Sequence, residues 1–285
     1  MKSISNIDNL STKKSLNIKG NLIDLSKPII MGILNVTPDS FFDGNLYNNT
    51  KKALIRVEEM INEGAEIIDI GGCSTKPGSE IIDLEEEWER IGEITRETRN
   101  NFPNIIISID TFRSEIAKRS SDYGANIIND VSGGEFDSNM FNTISKIDLP
   151  YVLMHSRGNS KTMLNLIDYD ELLVDIILYF VKKINSLHSL GVKDVIVDPG
   201  FGFAKTYEQN IEILYNLDCF SILDLPILVG LSRKSFVQKK FNVSLKDSLK
   251  GSIKLNTVAI QKHASILRVH DVKGTKLMMD KIFSN

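Results

Sequence analysis

Eight short runs of apolar and β-branched residues recur along the chain, with helical patterns between them. The runs lie at 29–34, 66–70, 105–109, 126–128, 151–154, 195–197, 227–231 and 265–269. A strand that is apolar along its whole length is buried on both faces, as in a parallel sheet covered by helices. Eight such strands alternating with helices predict an α/β fold, either a closed barrel or a large doubly wound sheet.

The segments between these runs have the periodicity of amphipathic helices. This periodicity predicts helices at 51–62, 83–98, 170–190, 249–263 and 272–283. Asp83, followed three residues later by Glu86, is typical of a helix start, and Gly64 and Gly191 are typical of helix ends. No linker, low-complexity tract or internal repeat interrupts the alternation, which indicates a single domain.

The N-terminal part of the chain differs from the rest. Residues 1–14 are polar with few core-forming side chains, and we expect them to form a flexible tail. Residues 16–18 and 22–25 are short apolar segments on either side of a Lys-Gly-Asn turn. This pattern predicts a hairpin. We expect the hairpin to close the bottom of a barrel domain that comprises residues 15–285.

Charge and composition argue against several kinds of partner. The net charge is −3, the isoelectric point is about 5.9, and no basic run stands out, so neither nucleic acid nor an anionic membrane is expected. No apolar run approaches the roughly 18 residues of a transmembrane helix. Cys73 and Cys219 have neither metal-site spacing nor a disulfide framework. The start of the chain lacks an apolar signal core, and we therefore expect a cytoplasmic protein.

Nearly every apolar run ends in a polar functional group. These groups are Asn35, Gly71 to Thr75, Asp110, Asn129 with Asp130, His155, Asp198, Ser232 to Lys234, and Arg268 with His270. In barrel enzymes the chemistry lies at the carboxyl ends of the strands. One mouth would therefore gather carboxylates, amides, cations and glycine-rich loops, which favours a barrel enzyme over a generic α/β protein.

The cationic residues at this mouth suit a phosphorylated ligand. Arg268 and His270 are two positions apart on one strand, so their side chains are predicted to share a face. Thr75 and Lys76 add a hydroxyl and a second cation for phosphate. Asn35 offers a neutral oxygen that can hold a Mg²⁺ ion already carried by a pyrophosphate.

The acceptor residues suit a flat heterocycle. Asp110, Asn129 and Asp198 come from separate strands and combine two carboxylates with one amide, which fits a guanidine-like edge of amino and ring N–H donors. Residues 232–236 follow a strand and open a helix. Ser235 is therefore expected near a helix N-terminus, where backbone N–H groups favour an anion.

Other polar residues have simpler interpretations. A strand-end aspartate caps the next helix about as often as it binds a ligand, and we interpret Asp69 and Asp130 as structural. For His155 we consider a structural hydrogen bond at the barrel rim. Cys73, as a lone cysteine, is expected to be an inert small residue.

Seven segments, in their order and spacing, resemble the motifs of the dihydropteroate synthase family. They are MGILNVTPDSFFDG at 31–44, GGCSTKPG at 71–78, SIDT at 108–111, IND at 128–130, DPGFGFAK at 198–205, GLSRKS at 230–235 and RVHDV at 268–272. The resemblance implies a single (β/α)₈ TIM barrel and a homodimer. It implies condensation of 6-hydroxymethyl-7,8-dihydropterin pyrophosphate with 4-aminobenzoate, and inhibition by sulfonamides.

The resemblance also implies roles for individual residues. The pterin site would contain Asp110, Asn129, Asp198 and Lys234. The pyrophosphate and Mg²⁺ site would contain Asn35, Thr75, Arg268 and His270. The aminobenzoate site would contain Phe203, Lys234 and Ser235, walled by Phe41 and Pro77 from two mobile loops at 36–45 and 72–79. The residues expected to act in catalysis are Asn35, Asp110, Lys234, Arg268 and His270.

Some positions depart from the family pattern, and other functions are compatible with part of the site. The departures are Phe42, Asn45, Cys73, Lys76, Ser156, Arg157 and Ala204. One alternative is a pterin-binding methyl-transfer domain, which would not need the segments 232–235 and 268–270. Another is a Schiff-base aldolase that uses Lys234. A third is a noncatalytic paralogue that serves as a binding subunit.

Overall fold

The strands of the protein form one hairpin and one barrel. The computed structural model describes residues 15–37, 46–74, 78–244 and 248–284. The strands are β1 (Ser15–Ile18), β2 (Asn21–Asp24), β3 (Ile29–Asn35), β4 (Ile67–Gly71), β5 (Ile106–Asp110), β6 (Ile127–Asp130), β7 (Tyr151–Met154), β8 (Val195–Asp198), β9 (Leu228–Val229) and β10 (Ile266–Val269). Strands β3 to β10 are parallel in the order β8-β7-β6-β5-β4-β3-β10-β9. A bridge between Val197 and Ile227 closes the circle, which confirms the predicted (β/α)₈ TIM barrel.

Helices follow the barrel strands along the described chain. They are α1 (Leu46–Asn62), α2 (Leu84–Asn101), α3 (Ser114–Asp122), α4 (Met140–Ile147), α5 (Leu172–Ser189), α6 (Tyr207–Tyr215), α7 (Ser235–Phe241), α8 (Ser248–Gln261) and α9 (Val272–Phe283). Asp83 caps α2, since its Oδ1 accepts from the N–H of Glu86 at 2.8 Å, as predicted. No helix among the described residues is long and apolar enough to cross a membrane.

Side chains alternate along each barrel strand between the helices and the barrel interior. The lower interior is filled by an apolar cluster from the strands, namely Ile29, Met31, Ile67, Ile127, Val152, Ile196, Leu228 and Ile266. On several strands the inward position two residues further along is polar, as from Ile67 to Asp69 and from Ile127 to Asn129. The barrel is therefore apolar at the bottom and polar at the mouth.

The hairpin of β1 and β2 closes the bottom of the barrel, as predicted. Leu16 and Ile18 are buried and belong to the same apolar cluster as the lower barrel interior. The backbone N–H of Asn17 also donates to Oδ1 of Asp194, which directly precedes β8. The hairpin is therefore joined to the barrel by apolar packing and by a hydrogen bond.

The helix predictions were incomplete in two respects. Helices α3, α4 and α6, of 9, 8 and 9 residues, were not predicted, because about two turns give too few apolar repeats to stand out. The boundaries also differ, since the helix predicted at 51–62 begins at Leu46, the one predicted at 83–98 ends at Asn101, and the one predicted at 170–190 begins at Leu172. The prediction of a flexible tail at 1–14 lies outside the described residues.

Candidate active site

Three predicted site residues lie in one row at the carboxyl ends of neighbouring strands. The strand register aligns Asn35 with Gly71, Gly71 with Asp110, and Asp110 with Asn129. A methyl group on Gly71 would lie 3.2 Å from Cβ of Asp110, so glycine leaves room for that carboxylate. The mouth therefore presents an amide, a carboxylate and a second amide side by side.

Arg268 lies between two buried carboxylates. Its Nε donates to Oδ2 of Asp69 at 2.6 Å, and its Nη2 donates to Oδ2 of Asp110 at 2.5 Å. Burial opposes the charged form of Arg268, but the two carboxylates outweigh burial and raise its pKa. The guanidinium is a fixed cation that carboxylates from β4 and β5, two and three strands away around the barrel, hold in place.

Asp69 joins the cation to the acceptor row. It is fully buried, and its Oδ2 also accepts from Nδ2 of Asn129 at 3.1 Å, while its Oδ1 accepts from Oγ of Ser108 at 2.6 Å. The sequence analysis interprets Asp69 as structural. The structure places it directly below the predicted site, where it orients both Arg268 and the amide of Asn129.

The two predicted pterin-site carboxylates lie in a poorly solvated environment. Burial raises the pKa of Asp110 to about 7, although the positive charge of Arg268 opposes the shift. Burial also raises the pKa of Asp198, and Lys234 provides the largest opposing charge. Oδ1 of Asp198 accepts from the N–H of Gly200 at 2.8 Å. A ligand that brings N–H donors would stabilise both carboxylates in their charged form.

Lys234 lies on the side of the mouth opposite Asp110, immediately before α7. Its ammonium donates to the carbonyl of Phe201 and lies 4.6 Å from the centre of the Phe203 ring. Burial lowers the pKa of Lys234 to about 8, and Asp198 opposes the shift. Ser235 is the first residue of α7 and is exposed, so it lies at a helix N-terminus as predicted.

His270 follows β10 and is tied to the loop after β9. Its Nδ1 lies 3.1 Å from Oγ of Ser232, and that Oγ accepts from the backbone N–H of His270 at 3.3 Å. Ser232 precedes Lys234 by two residues. The loop after β9 therefore carries Lys234, a predicted cation of the site. Through Ser232 the same loop also holds His270, which is predicted to bind pyrophosphate.

Asp130 and His155 have structural partners. Asp130 accepts from the hydroxyl of Tyr151 at 2.6 Å and from two backbone N–H groups of its own loop, which agrees with the structural interpretation. Nδ1 of His155 lies 3.0 Å from Nζ of Lys205. Burial lowers the pKa of His155 to about 2, so the ring is neutral.

Several predicted residues lie outside the part of the chain that is described. They are Phe41, Thr75, Lys76 and Pro77, so their roles and the closure of the two loops stay predictions. Cys73, at the edge of the second loop, is half-buried, and burial raises the pKa of its thiol. The raised pKa fits an inert cysteine.

Comparison with known proteins agrees with this arrangement. Residues 31–270 match the protein family described as "Pterin binding enzyme". The chain belongs to this family. The geometry of the barrel mouth agrees with membership of this family, since buried acceptors lie there beside fixed cations. A charged pterin derivative requires both kinds of group.

Individual pterin-binding enzymes are similar to the chain over most of its length. It is 44% identical over 253 residues to the "Folic acid synthesis protein fol1" of Pneumocystis carinii, of which it spans only 34%. It is 42% identical over 246 residues to the "Dihydropteroate synthase" of Clostridium beijerinckii, with 85% of this chain and 88% of that protein covered. The solved Xanthomonas albilineans dihydropteroate synthase with 4-aminobenzoic acid has a TM-score of 0.88 at 31% identity, covering 96% and 98% of the two chains.

The sequence analysis missed the part that two residues play in the site network, since it interprets Asp69 as structural and gives no role to Lys205. Asp69 precedes the end of β4 by two residues, so the alternation of the strand already places it on the inward face. Lys205 ends the segment DPGFGFAK, but nothing in that segment indicates that its ammonium is turned inward. The strand alternation therefore indicates the inward position of Asp69, whereas no sequence pattern indicates that of Lys205.

Proposed function

We propose that this chain catalyses the dihydropteroate synthase reaction. In this reaction the amine nitrogen of 4-aminobenzoate bonds to the methylene carbon of a dihydropterin pyrophosphate. The C–O bond to pyrophosphate breaks, and the amine loses a proton. The observation that carries the proposal is the pairing of buried acceptors, Asp110, Asn129 and Asp198, with the cations Arg268 and Lys234 at one mouth.

The acceptor row would bind the pterin ring. Asp110 and Asn129 are neighbours in register, and Asp198 lies on a strand further around the barrel. Carboxylates accept hydrogen bonds only, so they fit the amino and ring N–H groups of a pterin. Negative charge beside the ring also stabilises positive charge that develops on the pterin methylene as the leaving group departs.

The cations would stabilise the leaving pyrophosphate. Arg268 is held by two carboxylates, and His270 is held by Ser232, so neither side chain must reorganise when negative charge grows. An arylamine is neutral near pH 7 and needs no base to become nucleophilic, so the reaction does not require a nucleophile–base pair. Catalysis would then depend on preorganised electrostatics.

Mg²⁺ would enter with the pyrophosphate and would neutralise charge on its oxygens when bound. Among the described residues no group of three His, Cys, Asp or Glu side chains can hold a metal ion. Asn35, at the end of β3, offers a single amide oxygen at the mouth. One neutral ligand fits a metal that arrives with its substrate better than a metal held by the protein alone.

The side of the mouth near α7 would bind 4-aminobenzoate. Phe203 offers a ring face, Lys234 a cation, and Ser235 a hydroxyl and a helix N-terminus for the carboxylate. Sulfonamides resemble 4-aminobenzoate in shape and would compete for this place. Lys234 would contact both substrates, because its ammonium also lies close enough to Asp198 to affect the pKa of that residue.

The alternative functions fit the site less well. A Schiff-base lysine must be neutral, whereas a pKa of about 8 leaves Lys234 mostly charged at pH 7. A methyl-transfer domain would not need Arg268 and His270, which are both held in place here. A binding-only paralogue would not need the same fixed cations.

The assembly and location of the protein follow from the same proposal. We propose a homodimer, as the family resemblance implies, and a cytoplasmic location, which suits the two free cysteines Cys73 and Cys219. Sedimentation at micromolar concentration would give the mass of a dimer, and a monomer mass would contradict this part.

The proposal is tested by supplying purified protein with dihydropterin pyrophosphate, Mg²⁺ and 4-aminobenzoate, and by omitting each in turn. Mass spectrometry would detect dihydropteroate only when all three are present. Pterin binding without product would indicate a binding-only barrel. Transfer of a methyl group from a methylated pterin would favour the methyl-transfer alternative, and borohydride trapping of a keto substrate on Lys234 would favour the aldolase.

A further inference from the structure

Lys205 is a buried lysine whose ammonium has only protein partners. The side chain is 7% exposed. Its Nζ lies 3.0 Å from the carbonyl oxygens of Gly200 and Phe203, 3.0 Å from Nδ1 of His155 and 3.4 Å from the carbonyl oxygen of His155. Because an ammonium has three N–H donors, these four acceptors use all of them.

The loop between β8 and α6 winds around this ammonium. Gly200, Gly202 and Ala204 have φ angles of 73°, 80° and 48°, so every second residue is in the left-handed region. A side chain on Gly200 would collide with the carbonyl oxygen of His155 at 2.0 Å. Ala204 adopts this conformation although it carries a Cβ, which indicates that the surroundings hold the loop in place.

The same loop carries parts of the active site on its outer side. The carbonyl of Phe201 accepts from Lys234, and the ring of Phe203 lies 4.6 Å from the Lys234 ammonium. The N–H of Gly200 donates to Asp198 at 2.8 Å. Any movement of the loop would therefore displace the groups proposed for 4-aminobenzoate.

The four partners of Lys205 are neutral hydrogen-bond acceptors, which an ammonium with three N–H donors can satisfy together. Three of them are carbonyl oxygens, and the fourth is the ring of His155, which is neutral because burial lowers its pKa to about 2. Burial lowers the pKa of Lys205 to about 7, and the negative charge of Asp198 opposes that shift. The charge on Lys205 therefore depends on Asp198 as well as on the loop.

We propose that Lys205 is a positioning residue, whose ammonium orders the loop at 199–205 and thereby fixes Phe203 and Lys234 for 4-aminobenzoate. This inference rests on the proposed function. Lys205 itself touches no substrate, because its donors are used inside the loop. Of the three acceptors proposed for the pterin, Asp110 and Asn129 lie on other strands, whereas Asp198 accepts from Gly200 in this loop.

The test compares Lys205→Met with Lys239→Met, in which the lost ammonium is on the exposed surface of α7. Loss of a charge-assisted hydrogen-bond set in Lys205→Met is expected to raise the KM for 4-aminobenzoate at least about tenfold. The Kd for the dihydropterin pyrophosphate is expected to change less than the KM for 4-aminobenzoate, because Asp110 and Asn129 keep their places on other strands while Asp198 and Lys234 contact the loop. Amide exchange at 199–205 should accelerate in Lys205→Met only. Ala204→Gly added to Lys205→Met should recover part of the KM, since glycine needs no support at this φ.

Equal changes in both substrate constants, or none, would overturn the proposal. If Lys205→Met does not fold, Lys205→Gln keeps two donors and undergoes the same measurements. Failure of both variants to fold would assign Lys205 to the stability of the whole barrel and would also overturn it. If the wild type makes no dihydropteroate, the proposed function fails, while the exchange rates at 199–205 still decide whether Lys205 orders the loop.

Discussion

Asp69 and Arg268 are 199 residues apart in the chain, and their side chains form a buried ion pair of 2.6 Å between the Asp69 Oδ2 and the Arg268 Nε. The same carboxylate oxygen accepts from Asn129. One atom thus links a cation proposed for pyrophosphate to an amide proposed for the pterin ring. The two halves of the site are therefore coupled through Asp69, which is not among the residues proposed to bind either substrate.

Replacing Asp69 with Asn should weaken both the pyrophosphate half and the pterin half of the proposed site. The change keeps the shape but leaves Arg268 with one carboxylate, and we expect a loss of about 1–3 kcal/mol in the free energy of unfolding. Turnover should fall about tenfold or more, because Arg268 is no longer held. Urea titration and steady-state kinetics measure the two effects. Asp218→Asn is the control, since its ion pair with Lys262 lies near the surface and should contribute about 0–1 kcal/mol.

Replacing Arg268 with Ala should abolish most of the catalysis in a protein that still folds. Loss of one preorganised contact to the leaving group is expected to lower kcat about 10²–10³-fold. Arg268→Lys keeps the charge without the planar fork and should recover only part of the loss. Arg119→Ala, which removes an exposed ion pair with Glu85, is the matched control. Wild-type kinetics in a folded Arg268→Ala protein, judged by circular dichroism, would refute the assignment.

The affinity for dihydropterin pyrophosphate should depend on pH in two steps. Burial raises the pKa of Asp110 to about 7, so the carboxylate is charged above that pH and affinity should increase as pH rises through it. Burial lowers the pKa of Lys234 to about 8, so the ammonium is lost above that pH and affinity should decrease. Calorimetric titration from pH 6 to 9, in roughly half-unit steps, measures the profile. Lys234→Arg stays charged and should reduce the alkaline decrease, whereas a flat wild-type profile would contradict both assignments.

Replacing Asn35 with Ala should affect the metal more than the pterin. We expect the Mg²⁺ concentration for half-maximal activity to rise about tenfold, because an oxygen ligand is lost. Pterin affinity in the absence of Mg²⁺ should stay within about twofold. Asn100→Ala, which removes a surface amide on α2, is the control. An unchanged Mg²⁺ requirement would show that Asn35 does not hold the metal.

The fold was predictable because the signals that specify it are local. Each barrel strand begins with apolar residues, and the hairpin is marked by a Lys-Gly-Asn turn. The short helix α4 was not predictable, because eight residues give too few repeats for a pattern. The closure between Val197 and Ile227 depends on strand tilt and stagger, which a linear pattern does not encode.

The members of the candidate site were predictable, but their partners were not. Strand ends identified Asp110, Asn129, Asp198 and Arg268, because a parallel barrel brings those ends together. The hydrogen bonds that hold them join distant segments, and only the folded chain shows that Arg268 is held by Asp69. For Lys205 the decisive feature is the backbone path of its loop, which arises from packing against β7.

The central claim is tested most directly by counting products. Wild-type protein given dihydropterin pyrophosphate, Mg²⁺ and 4-aminobenzoate should release one pyrophosphate for each dihydropteroate formed, and the release should stop when 4-aminobenzoate is omitted. The Arg268→Ala protein should show neither product at a comparable rate. Release of pyrophosphate that is independent of 4-aminobenzoate, or no dihydropteroate at all, would contradict the proposed function.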